Sequence, residues 1–328
     1  MVREFLLCAL VVLIACAFFV PGRARAQALQ AAEPAKQGGA TAPADSPDDE
    51  PEEPDFAFVA GGPYTQRRHS IQTISANQYG RRRSHVGGST LEHAEYGMLL
   101  RNEWGLTDRW ELDFILAAEG GRDRFGPDLV DSSFALGDSV LGIRYRLLQE
   151  SRAPFTLTMG PQIILPTGSR GQGTGFEQTG LAWDVAAAKD WRGPVFLYTS
   201  LNYSLFPSVR LPRPAARSSS NLHNLFWGTA LGLRPLEKGH GSSHHDLHAF
   251  LEFGLGMEQD LAGDAVAVRR VTDVHTLIAP GIRYGLLKSN DDLYEIGVSF
   301  PLGLDRGTPR FGVILQLQFE HVFRARVD

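Results

Sequence analysis

Four histidines fall within nine residues: His240, His244, His245 and His248. Imidazole nitrogens at this density are ligands for zinc, nickel and copper. The intervening residues are rich in glycine and serine, which is typical of a turn exposed to water. Two interpretations therefore stand at this point, a metal site and a solvated turn, and the turn is the simpler one.

Nucleophilic chemistry has less support. Both cysteines, Cys8 and Cys16, lie in the first apolar stretch, so removal of that stretch leaves no thiol for metal binding, disulfides or catalysis. A barrel lipase would need a serine with a histidine within hydrogen-bond reach. The chain has no Gly-x-Ser-x-Gly sequence and no persuasive serine–histidine pair. We therefore predict that the protein is not an enzyme and needs no cofactor.

The N-terminus has the three parts of an export signal. Arg3 precedes an apolar run from Phe5 to Val20, and small residues follow at Ala24 and Ala26. This arrangement predicts a signal peptide over residues 1–26, with cleavage after Ala26. A lipoprotein signal ending at Cys16 is the alternative, but the apolar run continues beyond that cysteine.

Residues 27–65 form a segment rich in proline, alanine and acids. Between residues 27 and 55 there are eight acids and one lysine, so this part carries a charge of −7. Such a composition predicts a disordered tail. The net charge of the chain is −5, and the signal carries +2, so residues 56–328 are electrically neutral.

The remaining sequence, residues 66–328, alternates apolar and polar residues. In 110–120 the even positions are apolar, whereas the odd positions include Glu111, Asp113 and Glu119. This period of two predicts strands with one apolar and one polar face. The same pattern recurs twelve times, near 70–79, 92–106, 110–119, 134–147, 155–166, 179–189, 195–205, 222–234, 247–258, 272–286, 293–302 and 311–323.

Long and short connections alternate along these strands, except for a connection of about 12 residues after the eighth. Outer-membrane barrels have long outer loops and short periplasmic turns. Strands of this length also suit a tilted membrane crossing. The fold class is thus all-β, a transmembrane antiparallel up-and-down barrel of about 12 strands. A soluble β-sandwich is the less favoured alternative.

Several segments resemble a known family. They are Gly137 to Leu148, Leu165 to Gly168, Ala279 to Tyr284 and Asn290 to Val298. In order and spacing they resemble the outer-membrane proteins labelled for the MetA-pathway of phenol degradation, over roughly residues 92–323. The resemblance implies an outer-membrane β-barrel that admits small hydrophobic or aromatic compounds. Family members often carry an acid where this chain has Val140.

Strand parity predicts which charged residues face the lumen, because a charge facing lipid costs about 2–4 kcal/mol at midplane. One interpretation is a narrow water-filled path with a mild preference for cations, and the other is a packed interior of paired charges. The predicted lumen residues are Glu95, Arg101, Glu103, Glu111, Asp113, Glu119, Asp138, Arg144, Arg146, Asp184, Arg234, Glu252, Asp273, His275, Arg283 and Glu295.

Three functions from different classes follow. The first is a passive channel for small molecules. The second is a non-conducting scaffold that recruits periplasmic partners through the acidic tail or the histidine-rich turn, and the third, least favoured, is a barrel enzyme.

The expected partners are outer-membrane lipid, lipopolysaccharide, a small-molecule permeant and the outer-membrane assembly machinery. Arginines in the predicted outer loops suit lipopolysaccharide phosphates. The apolar final strand, which ends at Phe323, resembles the signal that the assembly machinery recognises. We expect no nucleic-acid partner.

Overall fold

The structure is a computed structural model, and it describes residues 58–86, 89–125, 128–191, 194–210, 219–240, 243–263, 268–288, 292–305 and 308–323. The predicted signal peptide, 1–26, and residues 27–57 of the predicted tail lie outside these described residues. Within the described ranges, no helix is long and apolar enough to cross a membrane.

Fourteen strand segments form one antiparallel sheet that closes on itself as a barrel of twelve strands. The prediction of an all-β up-and-down barrel is confirmed. The segments β4 and β5 follow each other along one crossing, as do β12 and β13. Their bounds are β1 Ser70–Val86, β2 Ser89–Gly105, β3 Trp110–Phe125, β4 Asp128–Leu136, β5 Ser139–Leu148, β6 Thr156–Leu165, β7 Gly180–Asp190, β8 Val195–Arg210, β9 Ser219–His240, β10 Ser243–Gly263, β11 Val268–Lys288, β12 Leu293–Ser299, β13 Leu302–Gly303 and β14 Phe311–Val322.

The first and last strands close the barrel. Strand β1 pairs with β14 from Ser70 opposite Val322 to Arg81 opposite Phe311. Most strands pair with a neighbour on each side, although β4 pairs with β3 alone and the first part of β11 with β10 alone. Pairing of backbone groups within a closed sheet is what a membrane interior requires.

The two faces of each strand differ in burial as the alternation predicts. On β10, the side chain of Leu251 is 49% exposed, whereas that of its neighbour Glu252 is fully buried. The exposed side chains of the outer face are mostly leucine, isoleucine and aromatics. This face is suited to lipid.

The outer hairpins are longer than the sequence predicts. Arg81 and Arg83, predicted to lie in a loop, belong to β1, which pairs with β2 as far as Val86 opposite Ser89. Both arginines contact Glu92 of β2, at 2.7 Å each. Beyond the membrane both faces of a strand meet water, so the strands stay paired without alternating apolar and polar residues. A prediction based on that alternation therefore ends these strands too early.

The predicted turn of about 12 residues after the eighth strand is wrong. Strand β9 continues to His240 and β10 begins at Ser243, with these two residues opposite each other. The sequence of this hairpin is polar and rich in glycine, so it lacks the alternating apolar residues from which the strands were predicted. The predicted alternation of long and short connections does not hold between the observed strands, because the connections after β1 and β3 are two residues long and the one after β5 is seven.

Candidate functional site

The chain that precedes β1 passes through the barrel interior. Residues 58–66, most of which the sequence assigns to the acidic tail, contact side chains of the lumen on both sides of the barrel. We call residues 58–66 the lumen segment.

One end of the lumen segment is held by a single carboxylate. Glu252 of β10 accepts hydrogen bonds from the backbone N–H groups of Phe58, Val59 and Ala60, at 2.8, 2.6 and 3.0 Å. Hydrogen bonds to an ionised acceptor are roughly twice as strong as neutral ones. Glu252 therefore anchors this end to the β10 wall.

The middle of the lumen segment contacts three further strands. The Gly61 N–H donates to the Ser200 hydroxyl of β8 at 2.8 Å. The Gly62 and Pro63 carbonyls accept hydrogen bonds from Arg144 of β5 and Thr158 of β6. The lumen segment thus crosses the interior rather than following one wall.

The other end is held beside β3. The Gln66 N–H donates to the Glu111 carboxylate at 2.6 Å, and its side-chain amide donates to Gln72 at 2.8 Å and to Glu103 at 3.2 Å. Gln66 and Glu111 are both buried. The segment is consequently fixed at both ends by carboxylates that parity places in the lumen.

Glycines on the wall make room for the lumen segment. A Cβ atom at Gly297 would lie 2.5 Å from the Phe58 ring, and one at Gly281 would lie 2.9 Å from it. A Cβ atom at Gly228 would lie 2.9 Å from the Ala60 Cα. Any side chain at these positions would displace the segment or the wall.

A network of paired charges lies under the Gln66 end. Arg101 contacts Glu103 at 2.6 Å and Asp113 at 2.8 Å. Arg144 contacts Glu111 at 3.0 Å and Asp184 at 3.6 Å.

The carboxylates of Glu103, Glu111 and Asp113 are close enough to hold a cation, with one oxygen of each within 4.8 Å of the others. The guanidinium groups of Arg101 and Arg144 already supply the compensating charge. Buried charges are tolerated where they are paired in this way, so we interpret the cluster as support for the lumen segment.

A second network lies on the β9, β10 and β11 side. Arg234 contacts Asp190 at 2.8 Å and His248 at 3.2 Å. Arg283 lies 3.5 Å from Glu295, and its guanidinium carbon lies 5.1 Å from the centre of the Phe250 ring.

The structure brings most of the predicted lumen residues inside but gives two of them other roles. Asp138 accepts backbone hydrogen bonds from Gly168 and Phe176, and so holds the loop between β6 and β7. Arg146 donates to the Asp108 carbonyl in the turn between β2 and β3. Asp273 is directly opposite Glu258 and shares its face.

Two of the four histidines, His245 and His248, are not brought together. His245 contacts the Tyr284 hydroxyl at 2.5 Å, and the Tyr284 side chain is exposed on the outer face. His248 is buried and contacts Asp246 at 2.7 Å. These two imidazoles lie on opposite faces of β10, so they cannot ligate one ion. The side chain of His240 lies outside the described residues, and His244 is part of β10.

A cavity of about 520 Å³ lies beside Phe58 and Val59 of the lumen segment. Glu95, Glu258 and His275 lie in its wall, and two of them, Glu95 and His275, were predicted to face the lumen. The cavity is also lined by Gln78, Tyr79, Gly80, Phe226, Gly254, Gly256, Leu277, Pro301, Thr308, Pro309, Gly312 and Ile314.

Sequence reasoning missed the lumen segment and its partners Ser200, Thr158 and Gln72. A signal was present, since the acidic run ends at Asp55 and is followed by apolar and small residues up to Tyr64. Glycines at lumen positions such as Gly228 and Gly297 are a second signal, because such glycines mark a close approach of another backbone.

Known structures share this architecture. The COG4313 outer membrane channel from Pseudomonas putida F1 matches with a TM-score of 0.51 and 14% identity, over 83% of this chain and all of that one. The NanC porin matches over 76% of this chain and all of its own, with 10% identity and a TM-score of 0.41. The chain has the fold of an outer-membrane β-barrel. No family model and no curated protein matches it.

Proposed function

We propose that this protein is an outer-membrane channel for the passive uptake of small molecules, and that passage requires movement of the lumen segment. The observation that carries the proposal is the course of residues 58–66 across the lumen, from Glu252 on one wall to Glu111 on another. A twelve-stranded barrel lies between the packed interior of eight strands and the open channel of about 16. A segment that crosses an interior of this width would therefore control passage through it.

Small aromatic or hydrophobic permeants fit this proposal. The resemblance to the MetA-pathway family implies such compounds, and the cavity beside the lumen segment has Phe58, Val59 and Phe226 in its wall. Sites for small molecules are usually lined by apolar and aromatic side chains with a few polar groups.

A disulfide that fixes the lumen segment tests the proposal. A Cβ atom at Gly61 would lie 3.4 Å from the Ser200 Cβ, near the distance of about 3.8 Å typical of disulfides. We expect the Gly61→Cys, Ser200→Cys variant to conduct poorly in planar bilayers when oxidised and to recover when reduced. The native cysteines, Cys8 and Cys16, belong to the predicted signal and offer no competing thiol in the mature chain.

The single variant Gly61→Cys is the matched control, since reductant should leave its conductance unchanged. Equal uptake by the oxidised and reduced double variant would show that the permeation path does not pass the segment. This result would remove the gating part of the proposal.

A non-conducting scaffold is the second candidate, and the attachment of the lumen segment at both ends favours it. In that case the oxidised and reduced forms both give flat current traces over many insertions. The acidic tail or the β9–β10 hairpin would then be the part that recruits a periplasmic partner.

We further propose export by the predicted signal and insertion by the outer-membrane assembly machinery. The last strand presents Leu315, Leu317 and Phe319 on the exposed face, and Phe323 follows it. Exposed arginines such as Arg269 and Arg270 at the start of β11 suit lipopolysaccharide phosphates.

A further inference from the structure

The cavity beside the lumen segment combines two kinds of surface. Its apolar part includes Phe58, Val59, Phe226 and Leu277, and its ionisable part is Glu95, Glu258 and His275. Of the described residues that line it, none is an arginine or a lysine. The five arginines that parity places in the lumen are all absent from this wall, so acids dominate its charge.

The two glutamates are available to a ligand. In the described part of the chain Glu258 makes no hydrogen bond or ion pair, and Glu95 contacts only His93, at 3.4 Å. Glu119 lies within electrostatic range of both Glu95 and Glu258. A narrow cavity with walls of one charge sign concentrates the opposite charge.

The apolar part selects among cations. Small metal ions prefer sites built from six or more oxygen ligands, or from closely grouped histidines and carboxylates. Among the described residues, the only cluster with such grouping is Glu103, Glu111 and Asp113, which does not line this cavity. Aromatic rings instead attract organic cations such as ammonium groups, within about 6 Å of the ring centre.

We propose that this cavity binds small aromatic ammonium ions, with the ammonium group at Glu258 and Glu95 and the ring against Phe226 and Phe58. The volume of about 520 Å³ is within the usual range of small-molecule sites, about 300–1,000 Å³, and holds a single-ring ligand. The inference deepens the proposed function, because it names the class of permeant that the channel would concentrate beside the lumen segment.

Equilibrium binding to the detergent-solubilised full mature chain tests the inference. The probes are 2-phenylethylammonium, its neutral counterpart 2-phenylethanol and the anion 3-phenylpropionate, each titrated by calorimetry in a neutral detergent. We expect the ammonium ion to bind at least tenfold more tightly than the alcohol, and the anion to bind most weakly. Equal affinities for the three probes would overturn the proposal.

Substitutions locate the site. Glu258→Gln should weaken ammonium binding about tenfold and leave alcohol binding unchanged, because it removes a charge and keeps the shape. Phe226→Ala should weaken both. Asp108→Asn, which removes a charge from the exposed turn between β2 and β3, is the matched control and should change neither.

An unchanged ammonium affinity in Glu258→Gln would also overturn the site. Shifted mobility of the unheated protein on gels confirms in each case that the barrel is folded. Binding of the ammonium ion without permeation would support this inference and contradict the proposed channel function. Permeation with no preference for the ammonium ion would support the proposed channel function and contradict the proposed ammonium site.

Discussion

The anchoring of the lumen segment by Glu252 leads to a quantitative prediction for Glu252→Gln. The wild-type carboxylate accepts three backbone N–H groups, at 2.6 to 3.0 Å. A hydrogen bond to a charged group contributes about 1.5–3 kcal/mol, so the three together contribute on the order of 5–9 kcal/mol to docking of this end.

Glutamine keeps one carbonyl oxygen of similar position but loses the charge and the second acceptor. Its remaining neutral hydrogen bonds contribute about 0.5–1.5 kcal/mol each. The released N–H groups can be hydrated from the adjacent cavity, which lowers the cost. We therefore expect a net loss of about 3 kcal/mol, which shifts the docking equilibrium roughly 150-fold.

Two measurements check the size of this effect. Hydrogen exchange at the amides of residues 58–61 should accelerate by roughly 150-fold in Glu252→Gln, because local opening exposes them. Single-channel recordings should show a larger fraction of time in the conducting state. The barrel itself should keep its unfolding free energy, since its ladder does not include these three N–H groups.

Glu295→Gln is the matched control. Glu295 of β12 is also a buried glutamate, and its neighbours Tyr294 and Ile296 are exposed on the outer face, but its ion-pair partner is Arg283 at 3.5 Å. Unchanged amide exchange in Glu252→Gln, or equal acceleration in Glu295→Gln, would refute the view that Glu252 holds the segment.

Three further predictions concern the wall and its charges. Gly297→Ala should raise conductance, because its Cβ would lie 2.5 Å from the Phe58 ring, whereas Gly256→Ala, with its nearest atom 3.6 Å away, should not. Arg144→Met should lower the unfolding free energy by about 3–5 kcal/mol, since it leaves buried carboxylates uncompensated; Arg146→Met, near the periplasmic turn, should cost less in the same urea titration. Leu251→Arg on the lipid face should cost about 2–4 kcal/mol in lipid vesicles, and Leu106→Arg at the turn about 0–1 kcal/mol; equal costs would contradict the assignment of the outer face.

The strands were predictable because their signal is local. A lipid-facing residue must be apolar and its neighbour need not be, so the period of two appears within each strand whatever its partners are. Leu251 and Glu252 illustrate this, since one is half exposed and the other fully buried. The outer hairpins were underestimated for the same reason, because the alternation ends where lipid ends.

His245 and His248 show what spacing along the chain does not reveal. Spacing along the chain left open a metal site and a solvated turn, but in a strand adjacent residues face opposite sides and alternate residues face the same side. His245 consequently lies beside Tyr284 on the outer face, while His248 lies among buried charges. Only the continuation of β9 to His240 and the start of β10 at Ser243, as paired strands, made this visible.

The sequence by itself determined the barrel, its outer face and the identity of most charged residues inside it. The tertiary structure decided what those charges do. Glu252 and Glu111 are 141 residues apart in number but hold the two ends of one short segment. Such contacts depend on closure of the sheet, which brings distant strands around a common interior, and no local pattern in the chain records which side chains will meet there.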